Sequence, residues 1–248
     1  MIYSTQAFVL NKKKYGDTSL ICNLFSSDFG KFYIIAKGAR SIKNPMGAIL
    51  QPLNHIECVY YYKSSRNIQI LKEASIVDKY FELENSYTKM NYALTIADMV
   101  NHITYVESPS KIIYRLTKKI FESINASDEK DIDILFIFFQ LQCLVYLGYQ
   151  PPIHNCARCN HQLQTAIFDF SIGQLTCDKC CNYKLKLDCE SMKIIDYLIN
   201  THLTKIIDEF EFSYKKLTII NKFLYNYILY HLPDIKRSKA LAMKNHYE

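Results

Sequence analysis

The sequence predicts a multidomain β + α protein: a small closed β-barrel of the OB type, then an all-α helical domain with a cysteine-rich module inserted in it. Three observations carry this expectation. Short β-prone runs separated by turn residues fill positions 1–80. Helical periodicity takes over from about Tyr80. Two Cys-x-x-Cys pairs, NCARCN and LTCDKC, stand between two helical stretches.

The strands come first. Ala7–Leu10 and Ser19–Phe25 are apolar and β-prone. Asp28-Phe29-Gly30-Lys31 makes a turn before Phe32–Ala36. A polar loop, Gly38 to Gly47, leads to Ile56–Tyr62, a turn around Ser64–Asn67 and a last run, Ile68–Leu71. Turn residues at every junction read as hairpin connections. Five short strands in so few residues suggest a closed barrel, with the OB-fold as the leading case and an SH3-like barrel as the alternative.

The helices follow. Met90, Leu94, Ala97 and Ile103 recur at helical spacing, as do Ile112, Ile113, Leu116 and Ile120 within Ser110–Ile124. Asp131 and Asp133 open a helix whose body, Ile134 to Leu147, is apolar almost all round. Acidic residues suit a helix N-terminus, and Gly148 is a good terminator. A helix apolar on every side belongs at the centre of a bundle. Two more helices are expected at Glu190–Leu203 and Tyr214–Leu232. The predicted division is therefore 1–80 for the barrel and 81–248 for the helical domain, with the cysteine module at 154–182.

Cys156, Cys159, Cys177 and Cys180 carry the sharpest chemistry. The segment between the pairs, Asn160 to Thr176, has the length expected of a zinc ribbon, roughly 15–20 residues. Each Cys-x-x-Cys turn aims two thiolates at one point, and two turns complete a tetrahedral Zn²⁺ site. Four protein ligands leave no position for water or substrate, so one structural zinc is expected. The bland alternative is four buried or redox-active thiols. Cys181 could compete for the fourth position, and His154 or His161 could substitute, but none fits the symmetric spacing as well. Cys22, Cys58 and Cys143 lie in apolar patterns and read as small core residues.

Charge is lopsided. Residues 1–80 hold 11 Lys/Arg against 5 Asp/Glu, a surplus equal to the whole chain's net +6. Such an imbalance speaks of partners rather than fold, and nucleic acid is the first candidate. The candidate contacts are Lys31, Lys37, Arg40, Lys43, Lys63 and Arg66, with Lys12–Lys14 as a further cluster equally readable as a solvated tip. Lys37, Arg40 and Lys43 stand out because Gly38 lets the backbone turn freely beside them. An OB barrel binds single strands with aromatics under the bases and cations along the phosphates. Tyr33, Tyr60, Tyr61 and Tyr62 are stacking candidates, though strand tyrosines more often pack. No run is long enough to span a bilayer, and the charges of MIYSTQAFVLNKKK follow its apolar stretch, unlike a secretory signal. No membrane association and a cytoplasmic location are expected.

The chain resembles the RecO family of bacterial recombination mediators. The matching residues run in order: Phe29-Gly30-Lys31, Ala36-Lys37-Gly38-Ala39-Arg40, Leu50-Gln51-Pro52, Leu71-Lys72-Glu73-Ala74, Leu147-Gly148-Tyr149-Gln150-Pro151, Cys156-x-x-Cys159, Gly173-Gln174-Leu175-Thr176-Cys177-x-x-Cys180, and Ile235-Lys236-Arg237-Ser238. No one of these is specific; their order is. The resemblance implies an OB-fold followed by a helical domain with a zinc module. It implies binding of single- and double-stranded DNA, strand annealing, and work with RecR to load RecA on strands coated by single-stranded DNA-binding protein, whose acidic C-terminal tail it also binds. It places the protein in the bacterial cytoplasm, associated with the nucleoid. Lys37 and Arg40 match DNA-contacting positions, and the four cysteines match zinc ligands. Two positions depart from the family: Asn160 stands for its usual glycine, and Ser41 for a basic residue.

Two other classes compete with this reading. A zinc deaminase needs a His-x-Glu, a Pro-Cys-x-x-Cys and a metal-bound water; neither Cys-x-x-Cys here follows a proline, and four thiolates leave no vacancy for water. The sequence has no Walker motif either, so an enzyme is not expected. A zinc-stapled adaptor whose basic face binds an acidic protein tail, without direct DNA binding, is the alternative. A groove carrying Arg115, Lys118 or Lys119 beside apolar residues would suit such a tail.

Overall fold

The computed structural model describes residues 1–183, 185–206, 213–238 and 241. The chain divides into two compact units, Met1–Ala126 and Ser127–Glu248.

The first unit begins with five strands: β1 (Ile2–Tyr15), β2 (Ser19–Ser26), β3 (Gly30–Ala36), β4 (His55–Tyr61) and β5 (Ile68–Asp78). They close a barrel in the order β1-β2-β3-β5-β4. β3 and β5 pair in parallel, and the other neighbours are antiparallel. Closure rests on β1, which is long enough to serve two neighbours. Ile2–Phe8 pairs with β4 and Ala7–Tyr15 with β2, and the register slips between Val9 and Asn11. A bulge of this kind bends a strand around a barrel corner. Alternate residues turn inward and build a dry centre from Ala7, Val9, Leu24, Ile34, Ile56 and Tyr60. A short helix, α1 (Met46–Ile49), lies in the β3–β4 connection. This is the OB architecture, not the SH3-like one.

The periodicity change at residue 80 is real, but it does not separate the compact units. Helices α2 (Phe81–Asn85), α3 (Tyr87–Ile103) and α4 (Lys111–Ala126) belong with the barrel. Phe8 on β1 turns away from the barrel centre and meets Tyr114 and Phe121 of α4, with ring centroids 5.3 and 5.5 Å away. A buried polar chain joins the same elements. His55 Nε2 lies 2.7 Å from the Tyr114 hydroxyl, and its Nδ1 lies 2.6 Å from Asp78 Oδ2. Burial pushes the imidazole below its ordinary pKa. The neutral ring therefore donates from Nδ1 to Asp78 and accepts from Tyr114.

In the second unit, α5 (Ile132–Tyr146) is buried over most of its surface, as its composition predicts. Next come the short strands β6 (Ala166–Asp169), β7 (Gln174–Thr176) and β8 (Lys186–Leu187), paired in the order β7-β6-β8. Helices α6 (Cys189–Asn200) and α7 (Tyr214–His231) complete it. Asp188 caps α6 by accepting from the Ser191 amide. Phe168 of β6 packs against Phe223, Tyr227 and Tyr230 of α7. Among the described residues, no helix is long and apolar enough to cross a membrane.

Candidate functional site

The two cysteine pairs meet. The four sulfurs of Cys156, Cys159, Cys177 and Cys180 lie within 4.8 Å of one another. Cys159 Sγ and Cys177 Sγ are 3.7 Å apart. A tetrahedral Zn²⁺ with Zn–S bonds of about 2.3 Å needs sulfurs about 3.8 Å apart, so the set has the dimensions of a metal site. Local backbone geometry builds it. The first knuckle turns at Asn160, whose φ of 59° is left-handed and whose amide donates to the Cys156 carbonyl at 2.8 Å. Asparagine tolerates that region better than most residues, so it stands in for glycine there. The second knuckle closes through the Cys180 and Cys181 amides, each donating to the Cys177 carbonyl at 3.1 Å.

The chemistry of the sulfurs agrees with the geometry. Burial pushes the Cys156 thiol up, but backbone N–H groups of Cys159, Cys177 and Arg158 outweigh it and bring it down to about 6. The sulfurs of Cys159 and Cys177 push Cys180 up to about 12. One thiolate forms readily, and further ones are resisted by their neighbours. A cation among them removes that resistance. The Cys177 N–H donates to Cys156 Sγ at 3.2 Å, an outer contact of the kind that orients a metal ligand. Cys181, His154 and His161 stand outside the group among the described residues. His154 is largely exposed and lies 3.8 Å from Asp196 instead.

The module is also braced without metal. Arg158, inside the first knuckle, reaches Asp169 at the end of β6 at 2.7–2.8 Å and Ser171 at 2.9 Å. Hydrogen bonds from Ser171 and the Arg158 guanidinium hold the Asp169 carboxyl below the usual carboxylate range. Gly173, with φ of 67°, turns the β6–β7 hairpin directly onto the Tyr230 ring.

The barrel cations fall into three situations. Lys37, Arg40 and Lys43 are exposed on the β3–β4 connection. Arg40 ties this loop to the β1–β2 turn: its amide donates to the Thr18 carbonyl at 2.8 Å and its guanidinium to the Gly16 carbonyl at 3.1 Å. The loop therefore sits beside the hairpin carrying Lys13 and Lys14, both exposed. Lys63 and Arg66, also exposed, occupy the β4–β5 turn near the opposite end of β1, where the Tyr62 amide donates to the Met1 carbonyl. Lys31 differs from all of these. It is 9% exposed, and its Nζ donates to the Asn101 carbonyl at 2.5 Å. Its charge is turned into the interior of the first unit, because α3 covers that edge of β3. Of the α4 cations suggested for an acidic tail, Lys118 is engaged with Asp78 at 3.1 Å and Glu122 at 3.9 Å. Tyr33 and Tyr62 are half-buried, Tyr60 is buried, and Tyr61 is exposed.

Sequence reasoning missed a third feature. A cleft of about 240 Å³ opens among Tyr3, Phe29, Tyr62 and their neighbours, with Asp28 and Glu107 at its margin. The alternation of β1 hinted at Tyr3, but Val106, Glu107 and Pro109 reach this place only through tertiary folding.

Two family models cover nearly the whole chain. Recombination protein O N terminal matches residues 1–80, and Recombination protein O C terminal matches residues 84–240. Among curated relatives, a protein of Chlorobium limicola is 25% identical over 98% of this chain and 97% of its own length. One of Caldicellulosiruptor bescii is 25% identical over 83% of each chain. One of Salinibacter ruber is 33% identical over 61% of this chain and 58% of its own. Each is named DNA repair protein RecO. With an OB barrel, a four-cysteine cluster and both terminal models matched in order, this chain belongs to the RecO family.

Proposed function

We propose that this protein is a recombination mediator in DNA repair. It binds single- and double-stranded DNA, anneals complementary strands and, with RecR, helps RecA load on strands coated by single-stranded DNA-binding protein. The acidic tail of that protein is a second ligand. Family membership supports the role, and relatives named for DNA repair support the process. One structural Zn²⁺ on Cys156, Cys159, Cys177 and Cys180 is part of the same reading, supported by the sulfur spacing.

The observation that carries the DNA reading is the tethered loop. Lys37, Arg40 and Lys43 sit exposed on a segment whose position Arg40 fixes against the β1–β2 turn. That lowers the entropy lost when the loop meets a phosphate backbone. Annealing then needs no covalent chemistry. Two strands repel through their phosphates, a cationic rim neutralises both, and base pairing supplies the free energy. Lys31 has no part in this, and Lys63 with Arg66 forms a separate contact.

Fluorescence anisotropy with a single-stranded oligonucleotide, titrated across salt, tests the reading. Each neutralised phosphate contributes about −0.7 to the slope of log K against log salt. Lys37→Ala with Arg40→Ala should weaken binding to all sequences and flatten the slope by about 1.4. Unchanged affinity at low salt removes the loop from the interface. Wild-type protein that captures an acidic peptide and no oligonucleotide favours the adaptor instead.

A further inference from the structure

The cleft beside the β4–β5 turn has the wrong charge for DNA. Two carboxylates, Asp28 and Glu107, stand at its margin, and no Lys, Arg or His lines it. Neither carboxylate is in an ion pair among the described residues. The walls are aromatic. Tyr3 meets Tyr62 at 5.1 Å and 86°, and Phe29 at 5.6 Å and 75°, so two rings stand nearly perpendicular to a third. Aromatic rings that line a cleft can offer a face to an occupant, and ring faces attract cations.

Glu107 is held in place at a conformational cost. Its φ of 54° is left-handed, a region glutamate rarely adopts. The Glu107 amide donates to the Lys31 carbonyl at 2.9 Å, and Val106 bridges to Lys31 in parallel. The segment before Pro109 is thus stitched to the start of β3, which brings Glu107 to the same cleft that Asp28 lines. Strain kept at a cleft is a pointer to function.

We propose that this cleft receives an arginine side chain of a protein partner. Guanidinium is planar, stacks on aromatic faces and binds carboxylates in a fork, so it uses both the walls and the margin. A phosphate-linked strand uses only the walls and is repelled at the margin. The site differs from the DNA reading in charge: it is acidic, and it lies away from the Lys37–Lys43 loop though beside the turn that carries Lys63 and Arg66.

NMR of the isotope-labelled full chain, titrated with an acetylated and amidated Gly-Arg-Gly tripeptide, tests it. Saturable shifts at the amides of Asp28, Tyr62 and Glu107 are expected, with the citrulline tripeptide, neutral and of similar shape, binding at least about fivefold more weakly. Asp28→Asn with Glu107→Gln should weaken the arginine peptide by a similar factor while leaving the thermal midpoint unchanged, since both side chains are exposed. Absent shifts overturn the proposal. So does equal binding of the citrulline peptide, which would mean an apolar slot, or tighter binding of a thymidine dinucleotide at the same amides, which would mean a base pocket.

Discussion

The barrel and the cysteine module both hold short strands, by opposite means. The barrel closes its sheet on itself and fills the centre with Leu24, Ile34 and Ile56, each fully buried. Burying such side chains stabilises by about 1.5–3 kcal/mol each. The module has strands of two to four residues and an open sheet. Its two knuckles are joined through the four sulfurs and braced by the Arg158–Asp169 pair. The barrel is therefore stabilised by many weak, redundant contacts, and the module by a few strong, indispensable ones.

The largest test of this contrast is metal removal. Structural zinc contributes on the order of 10–16 kcal/mol in isolated finger peptides. Chelation, or Cys177→Ser, should abolish hydrogen-exchange protection across 154–180 and leave the strands of the barrel protected. Equal loss in both would show that the module is not an autonomous unit of stability.

Two glycines sharpen the same contrast at smaller scale. A Cβ at Gly30 would sit 2.3 Å from the Ser108 carbonyl oxygen, and φ there is 68°. Backbone cannot swing aside, so Gly30→Ala should cost at least about 3 kcal/mol in urea unfolding. A Cβ at Gly173 would sit 2.0 Å from the Tyr230 ring. A ring at the edge of a small sheet can rotate away, and Gly173→Ala should cost about 1–3 kcal/mol. The reverse order would place the tighter packing in the module.

The smallest effect is acid sensitivity in the first unit. Burial holds His55 below its ordinary pKa, so the folded state keeps it neutral while the unfolded chain protonates near 6.5. The stability it contributes is present above that value and is lost as pH falls below it. His55 and Lys118 hold the Asp78 carboxyl low, so its contribution is lost at still lower pH, in the same direction. The unfolding free energy, read from urea titrations, should fall between pH 7 and 5 by at most about 1.4 kcal/mol per pH unit for one proton. His55→Gln should flatten the decline.

Much of this was readable from residues that act locally. The cysteine cluster was legible because each knuckle is a turn of a few residues, and the strands because alternation is a property of the chain itself. What escaped depended on distant partners. The polar end of β1, Asn11–Tyr15, reads as a loop yet is strand because β2 pairs with it. β5 runs on to Asp78 through Lys72 and Glu73 because β4 offers a partner edge. Lys31 looked like a surface cation until α3 supplied a carbonyl to receive it. The motif glycines Gly30 and Gly173 carried a family likeness, but their reason, a backbone carbonyl in one case and a tyrosine ring in the other, is visible only in three dimensions.

The barrel's staves are unequal. Most are joined along their length, but β3 and β5 touch in register only where Tyr33–Ile35 faces Ile68–Ile70, and they run the same way, the slightly weaker arrangement. That short join is the hoop's clasp. With three paired residues against seven or eight at every other seam, it is the most lightly fastened join in an otherwise edgeless wall.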